Sequence, residues 1–154
     1  MSSIPRFVQY AAAFEKAFVD DDWSAVEPFF TEDAEYEVGL GPPFTPESGS
    51  CIRGRDAVLA WFKHVLDDFD RRFATRELTL LDGPRADGNA VWLRGRGRYT
   101  TPHAPDLVFE LEETATFDGD RIRRLEDRYA ESDVSAMRAY VEAHGAKLGA
   151  SRKP

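Results

Sequence analysis

Two alternating stretches near the C-terminus constrain the fold of this chain more than any other feature. They run over 107–117 and 122–129, and Asp118-Gly119-Asp120 joins them. Because side chains alternate between the two faces of a strand, each stretch predicts a β-strand with one apolar face. The short link with a central glycine predicts that the two strands form an antiparallel hairpin. The chain must therefore cover one side of a long hairpin with other apolar residues.

Each stretch also carries an acidic residue on its apolar face. Glu113 lies between Leu111 and Ala115 on that face, and Asp127 lies on the same face as Tyr129. A buried carboxylate without a partner costs several kcal/mol, or its pKa rises and it takes up a proton. Two such groups on one inner face predict a function that uses them.

The hairpin turn sets how the two acids face each other. A three-residue turn at 118–120, with the glycine in the left-handed conformation, places Glu113 opposite Leu125 and Leu111 opposite Asp127. The acids are then diagonal neighbours, roughly 7–8 Å apart at the backbone. Two carboxylates at this separation in an apolar site titrate as a coupled pair, which suits general acid–base chemistry. The alternative is that arginines or backbone donors neutralise them and their role is structural.

Periodicity and turn residues elsewhere predict helices gathered against this sheet. Helices are expected from about Ile4 to 20–22, briefly after Trp23, over about 56–72 and from Ser132 or Asp133 to Gly145, and strands over 33–38, 75–82, 89–101, 107–117 and 122–130. The Gly-, Pro- and Ser-rich segment 39–54 is expected to be a long loop of the kind that forms lids. Helices on one side of a curved antiparallel sheet give an α+β fold, a cone with an interior pocket. We expect a single domain over 1–145 and a disordered tail over 146–154.

The run 94–98 alternates three arginines with two glycines, which predicts the middle of a strand. Its arginines share the solvent face, where Arg96 is expected opposite Glu110 and Arg94 opposite Glu112. The two glycines then face inward, which indicates either a bend in the strand or room for a ligand.

The composition excludes several classes of partner. A net charge of −8 disfavours nucleic acid and anionic membranes, and no apolar run is long enough to span a membrane. A single cysteine, Cys51, allows no internal disulfide and is typical of the reducing cytoplasm. The three histidines lack metal-ligand spacing, and no phosphate loop or dinucleotide fingerprint occurs, so we expect neither metal nor cofactor. A small molecule is the expected ligand.

Three segments give the chain a resemblance to a known family. They are Asp22-Trp23-x2-Val26-x2-Phe29-Phe30-Thr31-Glu32-Asp33-Ala34, Gly54-Arg55-Asp56-Ala57-Val58, and Phe117-Asp118-Gly119-Asp120-Arg121-Ile122 followed by Glu126-Asp127-Arg128-Tyr129. They resemble SnoaL-type members of the nuclear transport factor 2-like superfamily, over about residues 4 to 143. The resemblance implies a cystatin-like α+β barrel and a homodimer formed through the outer face of the sheet. It implies no single activity, because this fold hosts isomerases, hydrolases, cyclases, dehydratases and non-catalytic binders.

The resemblance also suggests roles for individual residues. Asp127 stands where limonene epoxide hydrolase and SnoaL-type cyclases have a catalytic aspartate, and Tyr36 matches a tyrosine that positions the attacking water in the hydrolase. The hydrolase has Asn, Arg and Asp where this chain has Val38, Gly95 and Gly97. Epoxide hydrolysis by that mechanism is therefore not expected.

A second comparison concerns ketosteroid isomerase. Glu113 matches its protonated oxyanion-hole aspartate by distance from Phe117. The isomerase has its base aspartate at the position of Val38 and its tyrosine at the position of Phe14. The chain thus matches one half of the catalytic residues of the epoxide hydrolase and one half of those of the isomerase.

These observations define a candidate site. Asp127 is the expected general base, Glu113 the general acid or anion stabiliser, and Tyr36 a hydrogen-bond donor that orients the substrate. The residues expected to contact a small apolar substrate are Phe14, Val38, Phe62, Leu93, Gly95, Gly97, Tyr99, Phe109, Leu111 and Tyr129. The alternative function is a non-catalytic ligand-binding or dimeric scaffold module of the same fold.

Overall fold

The hairpin predicted from the two alternating stretches lies at the centre of the sheet. The computed structural model describes residues 3–154. Its strands are β1 (Phe30–Val38), β2 (Cys51–Arg53), β3 (Thr75–Asp87), β4 (Ala90–Thr101), β5 (Ala104–Asp118) and β6 (Arg121–Tyr129), and its α-helices are α1 (Ile4–Asp20), α2 (Arg55–Asp68) and α3 (Glu131–His144). The strand order is β2-β1-β6-β5-β4-β3, so the two hairpin strands occupy the middle.

The α+β class and the curved sheet are confirmed, with one difference in strand direction. Strands β1 and β6 are parallel, while the other neighbouring strands are antiparallel, so the sheet is mixed. The chain leaves β1 through β2, α2 and the β3–β5 meander before β6 returns beside β1. Local periodicity does not indicate whether β6 runs parallel or antiparallel to β1. For this reason the sequence predicted an antiparallel sheet.

Helices α1 and α2 supply the apolar layer that covers the inner face of the sheet. Helix α1 buries Phe7 and Tyr10, and α2 buries Val58 and Phe62. These side chains join the inward residues of the strands in one core cluster. No helix among residues 3–154 is long and apolar enough to cross a membrane.

The register of the β5–β6 hairpin differs from the prediction and brings the two acids closer. The turn holds two residues instead of three, and Arg123 forms a bulge in β6. Together these differences shift the pairing by two residues, so Glu113 pairs directly with Asp127 and Leu111 with Tyr129. Directly opposed residues have Cβ atoms about 4.5–5.5 Å apart, so the two carboxyl groups project side by side.

The predicted ladder between β4 and β5 is confirmed. Arg96 pairs with Glu110 and Arg94 with Glu112 in the strand register, and the Arg96 guanidinium lies 2.9 Å from the Glu110 carboxylate. The prediction for the inward glycines holds for one of them only. A Cβ on Gly97 would meet the Phe109 ring at 2.4 Å, so that ring already occupies the space beside Gly97.

Several boundaries differ from the predictions for local reasons. Helix α2 ends at Asp68 because Phe69 leaves helical geometry, and a 3-10 turn follows over Asp70–Arg72. The short helix expected after Trp23 consists of two 3-10 turns, the second of which carries a proline in its first turn. The predicted loop 39–54 contains β2, which pairs with β1.

The C-terminal segment 146–154, for which the polar composition predicts a disordered tail, makes contacts with the rest of the chain. Leu148 is 1% exposed, and Arg72 donates a hydrogen bond to the Gly149 carbonyl at 2.8 Å. The Arg152 amide donates to the Arg71 carbonyl at 2.7 Å. The buried leucine and these hydrogen bonds therefore hold the segment against the helical end of the molecule.

Candidate functional site

A cavity of about 560 Å³ lies between the helices and the inner face of the sheet. Residues from all three helices and from strands β1, β3, β4, β5 and β6 line it. Most of the lining is apolar or aromatic, and its volume falls within the range of about 300–1,000 Å³ that is usual for small-molecule sites. The few polar side chains in the lining therefore define the chemistry that the cavity offers.

One polar group in this cavity is the acid pair. Glu113 from β5 and Asp127 from β6 both line it, and the Tyr36 hydroxyl from β1 donates a 2.6 Å hydrogen bond to Asp127 Oδ2. Tyr36 reaches Asp127 because β1 runs parallel to β6, with Tyr36 beside Leu125 and Val38 beside Asp127. The structure thus brings together Glu113, Asp127 and Tyr36, the three residues that the sequence predicted to be catalytic.

The two acids differ in burial and in hydrogen bonding. Asp127 is 9% exposed, whereas Glu113 keeps a larger part of its surface accessible. Asp127 Oδ1 is buried, and no group among residues 3–154 makes a hydrogen bond with it. Asp127 therefore has one oxygen held by Tyr36 and one oxygen free to accept a proton.

The environment separates the pKa values of the pair. Removal from water raises the pKa of Glu113 well above its usual range, and the adjacent Asp127 carboxylate raises it further. Burial raises the pKa of Asp127 as well, but its contacts with Glu113 and Tyr36 oppose that rise. When the pair carries a single proton, that proton accordingly resides on Glu113. Asp127 is the stronger acid of the two.

A second polar cluster lies in the same lining, and the sequence did not predict it. Asp70 Oδ2 accepts hydrogen bonds from Arg76 Nε at 2.9 Å and from the Tyr99 hydroxyl at 2.8 Å. Arg76 also donates to Glu15 at 2.8 Å. The alternation of β3 contained a signal for Arg76, which shares its face with the cavity-lining residues Leu78 and Leu80.

Most residues predicted to contact a substrate lie in this lining. They are Phe14, Val38, Phe62, Leu93, Gly95, Tyr99, Phe109, Leu111 and Tyr129. Gly97 is the exception, because the Phe109 ring separates it from the cavity. The predicted contact residues did not include the lining residues Tyr10, Phe44 and Phe69, whose positions depend on how α1, the 39–54 segment and the end of α2 pack together.

The acidic side chains of the cavity do not form a metal-binding cluster. Within residues 3–154, no three His, Cys, Asp or Glu side chains are grouped so that they could hold a metal ion. The candidate site is accordingly defined by the acid pair, Tyr36 and the aromatic lining.

Solved structures show the same fold at low sequence identity. TerC co-crystallised with polyporic acid has a TM-score of 0.62 and 16% identity, covering 89% of this chain and 98% of that one. An NTF2-like protein of unknown function from Burkholderia pseudomallei has a TM-score of 0.63 and 20% identity, with 86% and 94% covered. An LEH-like epoxide hydrolase from M. tuberculosis has a TM-score of 0.59 and 18% identity, with 90% and 95% covered. At these identities the likeness concerns the fold alone.

Sequence comparison identifies the family more directly. No curated protein matches the chain. The model of the SnoaL-like domain matches residues 10–125, a span that includes Tyr36 and Glu113 and ends two residues before Asp127. Because this match covers most of the chain, the protein belongs to the SnoaL-like domain family.

Proposed function

We propose that the cavity binds a small, mostly apolar molecule and that the acid pair transfers a proton within it without a cofactor. The observation that carries this proposal is the direct pairing of Glu113 with Asp127 in the lining of an otherwise apolar cavity. Two carboxyl groups with separated pKa values supply an acid and a base at the same pH. Isomerisation, cyclisation or dehydration next to a carbonyl group needs only these two functions.

The hydrogen bonds of the pair assign the roles. Asp127 is the base, because the hydrogen bond from Tyr36 favours its ionised form and Oδ1 is free to take a proton. Glu113 is the acid, because it holds its proton to higher pH and can donate it to a developing oxyanion. Tyr36 fixes the orientation of the Asp127 carboxylate.

The proposed reaction needs neither of the catalytic sets that this chain carries only in part. Epoxide hydrolysis of the limonene type remains outside the proposal, since Val38 and Gly95 stand where that set has Asn and Arg. Both positions line the cavity and add apolar surface or empty space rather than polar groups.

A solvent-exchange assay tests the proposal even though the natural substrate is unidentified. A panel of apolar ketones is incubated with the protein in D₂O, and deuterium uptake at the carbons next to the carbonyl is followed by NMR. We expect catalysed exchange for at least one ketone, and we expect Asp127→Asn to lower its rate by about 10²-fold or more. Glu112→Gln, which removes an exposed carboxylate next to Glu113, is the control and should exchange at the wild-type rate. Equal rates in Asp127→Asn and wild type would refute the role of Asp127.

A second candidate function is ligand binding without catalysis. The incomplete catalytic sets favour it, because Val38 and Phe14 leave the cavity without the base and tyrosine of the isomerase pattern. Under this function, apolar ketones bind in the cavity but exchange no protons, and Glu113→Gln and Asp127→Asn change folding stability with unchanged affinity.

We further propose that the protein is a cytoplasmic homodimer that associates through the outer face of the sheet. That face carries a network of ion pairs, including Arg124 with Glu35 at 2.9 Å and Glu37 at 2.7 Å, and the exposed Val108. Sedimentation velocity should give the mass of two chains. A charge reversal at Arg96, which lies on this face, should shift the protein toward one chain, and a wild-type monomer at high protein concentration would rule out the dimer.

A further inference from the structure

The cavity lining contains two buried carboxylates that differ in their partners. Asp70 has a counter-ion, because Arg76 Nε lies 2.9 Å from its Oδ2. Asp127 accepts a hydrogen bond from the Tyr36 hydroxyl and contacts the Glu113 carboxyl group, and no Lys, Arg or His among residues 3–154 forms an ion pair with Asp127 or Glu113. The same cavity thus holds one neutralised carboxylate and one carboxylate without a cation.

The other charges of the lining do not compensate Asp127. Of its two arginines, Arg76 is engaged with Asp70 and Glu15, and Arg96, whose side chain lies on the outer face of the sheet, is engaged with Glu110. A buried carboxylate without a counter-ion is costly, and such groups are usually paired or hydrogen-bonded on both oxygens. Asp127 Oδ1, which is buried and unpartnered, is therefore a position where a ligand can supply the missing charge.

Aromatic side chains line the same cavity as Asp127. The Tyr36 ring packs on Phe62 with centroids 4.8 Å apart, and Phe109 packs on Tyr129 at 6.1 Å. These four rings line the cavity together with Tyr10. Aromatic rings attract cations, and more strongly where water is excluded, with a gain of about tenfold or more in affinity at desolvated sites.

We propose that the ligand of this cavity carries a cationic nitrogen, as a protonated or quaternary amine, on a mostly apolar body. The nitrogen lies beside Asp127 Oδ1, and the rings contact its methyl or methylene groups. A protonated amine also donates a hydrogen bond to this oxygen. The inference rests on the proposed function in one respect, namely that the cavity is the ligand site. A positive charge also makes the protons of a neighbouring carbon more acidic, so the same carboxylate can pair with the nitrogen and act as the base.

Two probes of equal shape test the inference on the full chain. Phenyltrimethylammonium carries the positive charge, and tert-butylbenzene replaces its nitrogen with carbon. Each probe is titrated into the protein, and its affinity is measured from the NMR shifts of cavity residues. We expect the cation to bind at least about tenfold more tightly than the uncharged probe. We expect this preference to weaken in Asp127→Asn, where the rings remain but the carboxylate charge is lost, and to persist in Glu112→Gln, which removes an equal charge from the outer face.

The outcomes separate the inference from the function on which it rests. If the uncharged probe binds the cavity as tightly as the cation or more tightly, the cationic ligand class is wrong and the ligand site stands. If neither probe shifts cavity residues, the ligand site itself fails and the inference fails with it. If Asp127→Asn does not fold, the comparison of the two probes on the wild-type protein still decides the question.

Discussion

At the scale of single residues, environment distinguishes Glu113 from Asp127 although their side chains share one chemistry. The Tyr36 hydrogen bond stabilises the charge on Asp127, and the nearby negative charge of Asp127 adds to burial in keeping the proton on Glu113. Neither effect follows from the identity of the residue. The proposed acid–base pair arises because three strands place three side chains at one point in a cavity.

The raised pKa of Glu113 predicts how folding stability changes with pH. The folded state holds this proton more tightly than the unfolded chain, in which the pKa of a glutamate is near 4.5. This contribution to stability is complete below that pH and is lost as the pH rises through the folded pKa. We therefore expect Glu113→Gln to become more stable relative to wild type as the pH rises above 4.5, by about 1.4 kcal/mol per pH unit until the folded pKa is reached.

Urea unfolding of both proteins between about pH 4 and pH 9 measures this difference. Glu112→Gln controls for the loss of a negative charge on the same strand, and its difference from wild type should stay nearly constant. A constant difference for Glu113→Gln as well would show that Glu113 has an ordinary pKa.

At the scale of elements, the β4–β5 pair shows why two glycines of the same face have different roles. Gly97 accommodates the Phe109 ring, whereas a Cβ on Gly95 would meet only the Thr79 carbonyl oxygen, at 3.5 Å. Gly97 is therefore a packing requirement of the core, and Gly95 leaves space in the cavity. Both glycines alternate with arginines in the same way, so the sequence does not distinguish them. Their roles differ only because of the conformation of the Phe109 side chain.

These glycines form a matched pair for mutation. Gly97→Ala should lower the free energy of unfolding by about 1–3 kcal/mol, because Phe109 must leave its position. Gly95→Ala should leave that free energy nearly unchanged, since its Cβ contact is of ordinary length. Thermal unfolding of both variants checks the prediction, and equal losses of stability would contradict it.

At the scale of the whole molecule, the C-terminal segment connects elements that are distant in sequence. Arg72 donates to both the Gly145 and Gly149 carbonyls, at 2.7 and 2.8 Å, and Lys153 lies 3.7 Å from Asp21 and 3.5 Å from Asp67. The segment thereby joins the ends of α1 and α2 to the end of α3. Leu148 anchors it by burial.

Replacing that anchor should weaken the whole fold. We expect Leu148→Ala to lower the free energy of unfolding by about 2–5 kcal/mol, as for other fully buried leucines. Lys153→Ala, which removes two partly exposed ion pairs, should cost less than about 1 kcal/mol. Chemical denaturation measures both variants. A negligible effect of Leu148→Ala would mean that the segment is disordered in solution, as its composition predicted.

Periodicity and local motifs were sufficient to predict the class of fold, the inward position of Glu113 and Asp127, the arginine–glutamate ladder and the family. These signals act between residues that are close together in the chain, so they can be recognised from the sequence alone. The pairing of Glu113 with Asp127 was not predictable in this way, because the two-residue turn and the bulge at Arg123 shift the register together. Packing also determined that Tyr36 reaches Asp127, that Phe109 fills the space beside Gly97 and that Arg76 neutralises Asp70 while Asp127 has no cation. Such contacts join residues far apart in the chain, and only the packing of the sheet against the helices specifies them.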